Sequence, residues 1–371
     1  MTDSSAAVVG RERAKYERVW VMPEYRRACH GLHLWNTRRD LFPERVYTAL
    51  DIGCGTGRLL DRWHREGIDG WGVDLASNAL DPDIAERLGD RVKLAALWEM
   101  SWGGRRFDLG VCADVMEHIP EGYVAPTLAA IGDCCDEVLF KIAHGPANDL
   151  GGEPLHMTQR SRHWWAAALS STGAPRYLGV AVRSGNEDSL FRWIPGEAAM
   201  RGKHVLVVGS APGVLVPEWG DYVIGANAGA RIAVDAGRKL DAIATTSYLL
   251  RDMDARPSAA LSLAAMRGLV APVLWVDELC GPLGAADLDR RDVRYTSHVR
   301  HLRTEARAAI VASATGSALW VSTGVFAACL AVVSGARHVT LTGINPDSGG
   351  TRDHVDADRT ALAAMNVEVL S

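Results

Sequence analysis

The chain has 371 residues, too many for one ordinary hydrophobic core and enough for two domains. Hydrophobic residues make up 48% and charged residues 23%, the balance of a soluble globular protein, which excludes a disordered or fibrous chain. A formal net charge of -5 excludes a general electrostatic reason to bind nucleic acid or an acidic membrane surface, leaving only local basic patches.

The elements follow in chain order. Residues 1–20 hold no apolar core of signal-peptide length, so a cytoplasmic protein is expected. Residues 12–42 interleave Tyr16, Trp20, Tyr25 and Trp35 with arginines and are expected to form helices that cap the first domain. Residues 47–60, YTALDIGCGTGRLL, read as apolar strand, glycine turn and helix. Asp51 closes the strand, and Gly53, Gly55 and Gly57 are expected to leave backbone N–H groups and Cα positions open to a ligand. The helix behind them offers its positive N-terminus. Gly70 to Leu75 is a short strand ending in Asp74, an acid able to accept from both hydroxyls of a ribose. Residues 107–118, FDLGVCADVMEH, are a third strand running into a polar loop, and residues 137–142 are a fourth.

The ordered set DIGCGTG, GVDL and FDLGVCADVMEHIP resembles the class I S-adenosylmethionine-dependent methyltransferases over roughly residues 12–190. The resemblance implies S-adenosylmethionine as cofactor. It sets Asp51, Gly53 and Gly55 beside the methionine part, within a loop that includes Cys54 and Gly57. It sets Asp74 and Leu75 at the ribose, Trp98 and Glu99 at the adenine in place of the more usual Asp, and Asp114 next to the donor. Methyl transfer is an in-line displacement, so positioning supplies much of the rate. A general base is needed mainly for a hydroxyl or protonated amine acceptor, and His118, His144 and His156 are the candidates. A capping or packing role is the alternative for His118. The stretch after the fourth strand is similar to a methyltransferase subgroup with a Leu-His-x-Thr and Trp signature, here Leu155 to Thr158 with Trp164 and Trp165. His156 and the two tryptophans would then line the acceptor side, or the tryptophans simply pack. That subgroup is met beside surface-polysaccharide and phage genes, which implies a sugar or nucleotide acceptor.

Residues 183–203 mix polar residues with Gly and Pro, and a linker is expected near Pro195-Gly196. Residues 202–214, GKHVLVVGSAPGV, read as a second strand, glycine turn and helix, with Pro212 suited to a first helical turn. The turn has neither the Lys-Ser/Thr of a P-loop nor the dehydrogenase Gly-x-Gly-x-x-Gly. A strand over 221–227 ends in Asn227, and one over 240–246 ends in Thr245 and Thr246. Residues 290–307 hold six arginines and two histidines, read as a solvated helix face or a phosphate clamp. Ala308 to Ala336 carries no charge and is read as loop, buried helix and turn rather than a membrane span. Ser322, Thr323 and Gly324 start the buried helix, residues 338–345 form a strand with a polar end, and His354 follows in a polar loop.

This second set resembles the bacterial sialyltransferases of glycosyltransferase family 42 and a group of pterin pyrophosphokinase-like proteins, over roughly residues 200–371. The resemblance implies nucleotide contacts from Gly209, Ser210, Ala211, Asn227 and Thr245, a phosphate or sugar side at Ser322, Thr323 and Gly324, and His354 as a general base. An exposed loop histidine is the other reading of His354.

The expected fold is α/β, two doubly wound Rossmann-like domains in tandem: 1–195 with an N-terminal helical cap, and 196–371. The expected function is bifunctional, S-adenosylmethionine-dependent methyl transfer joined to a glycosyltransferase-like activity with a nucleotide-sugar donor. Two alternatives remain: a methyltransferase whose second domain only binds a nucleotide or the substrate, and a phage-type nucleic-acid-modifying protein. Small-molecule, carbohydrate or nucleoside acceptors are expected, with nucleic acid not favoured and no membrane partner. Seven cysteines, Cys29, Cys54, Cys112, Cys134, Cys135, Cys280 and Cys329, form no Cys-x-x-Cys pair, so reduced thiols and no metal site are expected.

Overall fold

A computed structural model describes residues 4–145, 153–183, 186–211, 213–251, 257–277, 288, 292–344 and 354–370. The chain divides into two compact units, residues 1–169 with 175–195, and residues 170–174 with 196–371. Each is described by itself.

The first unit holds a sheet of seven strands: β1 (Thr48–Ile52), β2 (Asp69–Asp74), β3 (Val92–Leu94), β4 (Leu109–Ala113), β5 (Val138–Ala143), β6 (Gly173–Arg183) and β7 (Asn186–Pro195). Their order is β3-β2-β1-β4-β5-β7-β6. β1 to β5 pair in parallel and β7 runs antiparallel to β5. The central strands are apolar runs buried on both faces, as helices on both sides of a parallel sheet require. Leu59, Leu60 and Trp63 bury one side of the helix Arg58–Arg65, while Phe107, Phe140, Trp165, Phe191 and Trp193 fill the core on the other side of the sheet. Strand order reverses between β1 and β4, and ligands of open α/β sheets bind at such a switch point, beyond the carboxyl ends of the strands.

The second unit has seven parallel strands: β8 (His204–Val208), β9 (Tyr222–Ala226), β10 (Ala242–Thr246), β11 (Val270–Asp277), β12 (Arg294–Leu302), β13 (His338–Thr342) and β14 (Glu368–Leu370). The order is β12-β11-β10-β9-β8-β13-β14, so its reversal falls between β8 and β13. The fold class read from sequence, α/β with two Rossmann-like domains, is the one observed.

Three local expectations are corrected. No helix follows β8 among the described residues; 209–211 and 213–221 run irregularly to β9, with Gly213 and Gly220 at φ 72° and 117° and Pro217 where a helix interior would need an N–H. Pro212 lies outside the described residues. The charge-free stretch begins inside a helix, Thr304–Thr315, rather than a loop; Gly316 at φ 78° ends it, and a second helix, Thr323–Val333, is buried along most of its length. No described helix is long and apolar enough to cross a membrane. The arginine run is not a solvated helix face. Its described part is β12 and the start of Thr304–Thr315, and Arg300 and Arg307 are only 1% and 3% exposed. Arg290 and Arg291 lie outside the described residues.

Candidate functional site

In the first unit the glycine loop after β1 takes the left-handed conformation at Gly53, Gly55 and Gly57, with φ of 74°, 49° and 76°. A side chain at Gly53 would set its Cβ 2.5 Å from Val115, and one at Gly55 2.7 Å from the Trp20 ring. The N–H groups, however, are not left open. Gly53 and Cys54 donate to the Val73 carbonyl at 2.8 and 3.0 Å, Gly57 to Cys54 at 2.9 Å, and Gly55 to Asp74 Oδ2 at 2.8 Å. These glycines supply sharp turns and close approach, not free donors. The Cys54 side chain is buried and faces Gly72 of β2.

Asp74, at the tip of β2, also accepts from the Ala76 N–H at 2.9 Å, so backbone fixes both carboxylate oxygens in direction. Burial pushes its carboxyl above the usual range against those hydrogen bonds. Asp51 lies under the loop, 6% exposed, and its carboxyl is pushed up to about 8 by burial and then by the charge of Asp74. Because that folded-state value exceeds the ordinary one, Asp51 favours folding fully only below about pH 4, and its contribution is lost as pH rises towards 8. Asp51→Asn should therefore gain Tm over the parent as ligand-free protein is taken from pH 5 to pH 8, by roughly several degrees in scanning calorimetry. A difference independent of pH would rule this out.

A cleft of about 640 Å³, counting space open to solvent, is walled by Gly53, Asp74, Leu75, Trp98, Asp114 and His118 among the residues read from sequence. Cys54, Gly55 and Gly57 shape its loop without lining it. Glu99 is exposed, bonded to the Ser5 hydroxyl, and does not face the cleft. Sequence reading missed Glu12 as a wall residue, beside Tyr16 and Trp20. These three recur every four residues, the spacing of one helix face, and that signal could have found them. Helix α1 (Ser5–Val19) carries Glu12 and Tyr16. It is tied down by Trp98 Nε1 donating to Ser5 Oγ at 3.2 Å, His118 Nδ1 donating to Tyr16 Oη at 2.9 Å, Tyr16 Oη donating to the Leu155 carbonyl at 3.3 Å, and Ser77 Oγ donating to Glu17 at 2.7 Å.

Asp114, at the end of β4, has φ 56°, tolerable for Asp. Burial opposes its charge, but hydrogen bonding to His30 at 2.9 Å and the Lys141 ammonium hold its carboxyl well below the usual range. His118 Nδ1 lies 2.9 Å from the Leu155 carbonyl, which can only accept. Nδ1 therefore carries the proton and Nε2 the lone pair. Burial, then the neighbouring His156, push the His118 pKa down to about 4, so the ring is neutral at physiological pH. His156 Nδ1 donates to the Gly145 carbonyl at 2.6 Å. Glu117 is fully buried; Oε1 accepts from the Ala143 N–H at 3.2 Å, and Oε2 has no hydrogen-bond partner. Burial and then the charge of Asp114 raise its carboxyl well above the usual range. One ligand atom from each of Glu117, His118 and His156 lies within 4.8 Å of the others, so these three could hold a metal. His144 is tied at both nitrogens, to the Arg160 carbonyl at 2.9 Å and the Ser189 hydroxyl at 2.7 Å, which suits a strut rather than a base. Trp165 is fully buried in the core, with Trp164 packed on it.

In the second unit a cleft of about 1170 Å³, open space included, lies at the β8/β13 switch point. Gly209, Ser210, Asn227, Ser322, Thr323, Gly324 and His354 all line it. Ala211 and Thr245 do not: Ala211 donates to the Gly343 carbonyl at 2.9 Å, and Thr245 is 2% exposed, with Thr246 at the wall instead. Asn227 sits at φ 50° with Oδ1 buried and without a partner. Ser322 caps the helix Thr323–Val333. His354 Nδ1 donates to the Trp320 carbonyl at 3.2 Å, leaving Nε2 the lone pair. Arg307 is the wall residue that sequence reading had left in a charge run; its guanidinium donates to the Val321 carbonyl and stacks 4.3 Å from the Trp320 ring centre.

Residues 24–179 match the profile of a family described as a methyltransferase domain. The chain is 32% identical over 217 residues, 51% of its own length and 86% of the relative's, to a ubiquinone biosynthesis O-methyltransferase of Paracidovorax citrulli. It is 33% identical over 93 residues, 24% of its length and 37% of the relative's, to the protein of the same name from Azorhizobium caulinodans. Among solved structures, Burkholderia thailandensis 1,6-didemethyltoxoflavin-N1-methyltransferase, bound to 1,6-didemethyltoxoflavin and S-adenosylhomocysteine, is 18% identical with TM-score 0.40 over 53% of this chain and 94% of that one. These matches leave the family of the second unit unidentified. The first unit joins an acid at the tip of β2 to a tight glycine loop at the switch point, and its sequence matches most of the length of a curated methyltransferase, so the chain belongs, through its N-terminal half, to the class I S-adenosylmethionine-dependent methyltransferases.

Proposed function

We propose that the first unit transfers the methyl group of S-adenosylmethionine to a hydroxyl oxygen of a small acceptor, of the carbohydrate or nucleoside kind. The observation that carries this reading is the neutral His118, which lines the same cleft as Asp74, Gly53 and Trp98. The residues present fit the cofactor. Both oxygens of Asp74 are aimed by backbone, and the approach at Gly53 and Gly55 is too close for any side chain. Asp74 would hold the ribose and Trp98 would pack on the adenine. Bound there, S-adenosylmethionine supplies an electrophilic methyl carbon. The acceptor oxygen forms its bond to that carbon as the carbon–sulfur bond breaks, with the electron pair staying on sulfur. The lone-pair side of His118 is the chain's own means of making the acceptor nucleophilic. The name of the Paracidovorax citrulli relative supports an oxygen acceptor. Steady-state assay of Tyr16→Phe and His118→Ala against hydroxyl-bearing acceptors tests it: His118→Ala should lower kcat by about 100-fold or more, with S-adenosylhomocysteine affinity nearly kept. An unchanged kcat in His118→Ala would defeat the reading.

For the second unit the proposal is a nucleotide site at the β8/β13 switch point. A glycosyltransferase-like reaction, with His354 as base, is the activity to assay there. It is supported by seven separately read residues on one cleft, and by the buried, unpartnered Asn227 Oδ1, which suits a base or ribose donor. Calorimetric titration of the full chain with CMP, UDP and ATP should find one nucleotide that binds, and Asn227→Ala should weaken it at least about tenfold. Failure of all three would leave a substrate-recognition role.

A further inference from the structure

Helix α1 and the short helix Pro23–Arg26 bring three aromatic rings, Tyr16, Trp20 and Tyr25, to the wall of the donor cleft, where sequence reading had expected only a cap. Trp20 caps α1, one turn beyond Tyr16. Tyr25 meets Trp20 edge to face, ring centres 4.9 Å apart and planes at 81°, so the two rings form a corner. The Trp20 ring closes on Gly55 so tightly that a Cβ there would lie 2.7 Å from it. Arg26 fixes the corner: its guanidinium donates to the Trp20 carbonyl at 3.1 Å, the Leu80 carbonyl at 2.9 Å and Asp81 Oδ1 at 2.9 Å. A site held in shape before its ligand arrives loses little on binding. Burial, then Tyr25 and Glu12, push the Tyr16 phenol well above its usual range, so that ring stays neutral.

With its ribose on Asp74 and its adenine on Trp98, S-adenosylmethionine has to run its methionine part over Gly53 and Gly55, against Trp20. That part carries two cations. The ammonium has three N–H donors and needs oxygen acceptors. The sulfonium has no N–H; like a quaternary ammonium, it is satisfied by negative charge or by the negative faces of aromatic rings. The carboxylates on the cleft wall are already engaged. Glu12 pairs with Lys15 at 2.5 Å, Asp114 with His30 at 2.9 Å and with Lys141, and Asp74 accepts from the N–H groups of Gly55 and Ala76. Ring faces remain. The Lys15 ammonium already lies 5.1 Å from the centre of Tyr16, which leaves most of the task to Trp20 and Tyr25.

We propose that Trp20 and Tyr25, with Tyr16 beside them, recognise the sulfonium of S-adenosylmethionine and so favour the charged donor over its uncharged product, S-adenosylhomocysteine. This rests on the donor placement given for the first unit. Methyl transfer leaves the carbon–sulfur electron pair on sulfur and removes the positive charge. The ring corner therefore loses its hold as the product forms, and fresh donor displaces spent product.

Calorimetric titration of the full chain with S-adenosylmethionine and with S-adenosylhomocysteine, without acceptor, tests it. The parent should bind the sulfonium form more tightly. Trp20→Leu and Tyr25→Leu keep apolar bulk and remove the π face. Each should weaken S-adenosylmethionine about tenfold while S-adenosylhomocysteine stays within about twofold, which also shows that the variant is folded. Trp20→Phe should keep most of the preference. Tyr47→Leu, at an exposed ring away from the cleft wall, should change neither affinity. Equal weakening of both ligands, or of neither, in Trp20→Leu and Tyr25→Leu overturns the sulfonium role and leaves the donor site intact. So does a parent that binds S-adenosylhomocysteine as tightly as S-adenosylmethionine. A parent that binds neither ligand removes the donor reading itself, and the ring corner with it.

Discussion

Asp74→Ala is expected to reduce S-adenosylhomocysteine affinity by about 100-fold or more, to the point where calorimetry detects no binding. Hydrogen bonds to a charged group contribute about 1.5–3 kcal/mol each, and one carboxylate can accept two from a ribose. The side chain has no freedom to relax, because Gly55 and Ala76 hold its oxygens from the loop side. The same geometry raises a competing explanation, that Asp74 merely anchors the loop. Asp74→Asn separates the two. Its amide keeps one of the two backbone hydrogen bonds and loses the charge, so it should bind roughly tenfold more weakly than the parent, with a Tm lowered by far less than in Asp74→Ala. If Asp74→Ala binds within threefold of the parent, Asp74 is a turn residue and the ribose assignment falls.

Gly229→Ala should be among the most damaging single-methyl changes in the second unit, with a stability loss of about 3 kcal/mol or more in urea unfolding followed by circular dichroism. Local preference argues the opposite way. Gly229 starts the helix Gly229–Asp235 and has no positive φ, and alanine in a helix is favoured over glycine by about 0.5–1 kcal/mol. Packing decides the sign. The new Cβ would lie 2.0 Å from the Val208 carbonyl oxygen, with the carbons of Val208 and Gly209 at 2.7 and 2.8 Å, all of them backbone. Backbone at the end of β8 cannot yield without disturbing its pairing with β9 and β13. Gly10→Ala is the control. Its helix has nothing within 4 Å of the added carbon, so a small gain of about 0.5–1 kcal/mol is expected. If both variants gain stability, the close packing of the Gly229 helix against β8 is not real.

Much of the first cleft was legible because its parts are local in sequence. A strand, three glycines and an acid at the tip of the next strand make a pattern whose geometry is set by parallel pairing alone, and β1 and β2 do pair with Asp51 opposite Gly72. The same holds in the second unit, where strand ends at Gly209, Asn227 and Gly343 converge on one switch point. What lay outside the strand-turn pattern was read less well. Among the described residues no helix follows β8, where Gly213, Pro217 and Gly220 interrupt it, and two arginines of the charge run, Arg300 and Arg307, are buried by a strand and a helix while Arg294 stays exposed. Glu99, set at the adenine by the family resemblance, faces outward to Ser5.

By itself the sequence determined the α/β class and the two strand-glycine starts, since periodicity and glycine placement act over a few residues and need no partner; the methyl-donor family came from the resemblance of its ordered motifs. Only the tertiary structure decided what surrounds those starts. It set the glycine loop's N–H groups against Val73 and Asp74 and laid Glu12 and Tyr16 over the cleft. It also carried His156 to Glu117 and His118. The reason is physical: hydrogen-bond partners and side-chain neighbours across the fold depend on distances that no local pattern encodes, whereas the turn and the strand depend on backbone angles that single residues largely set.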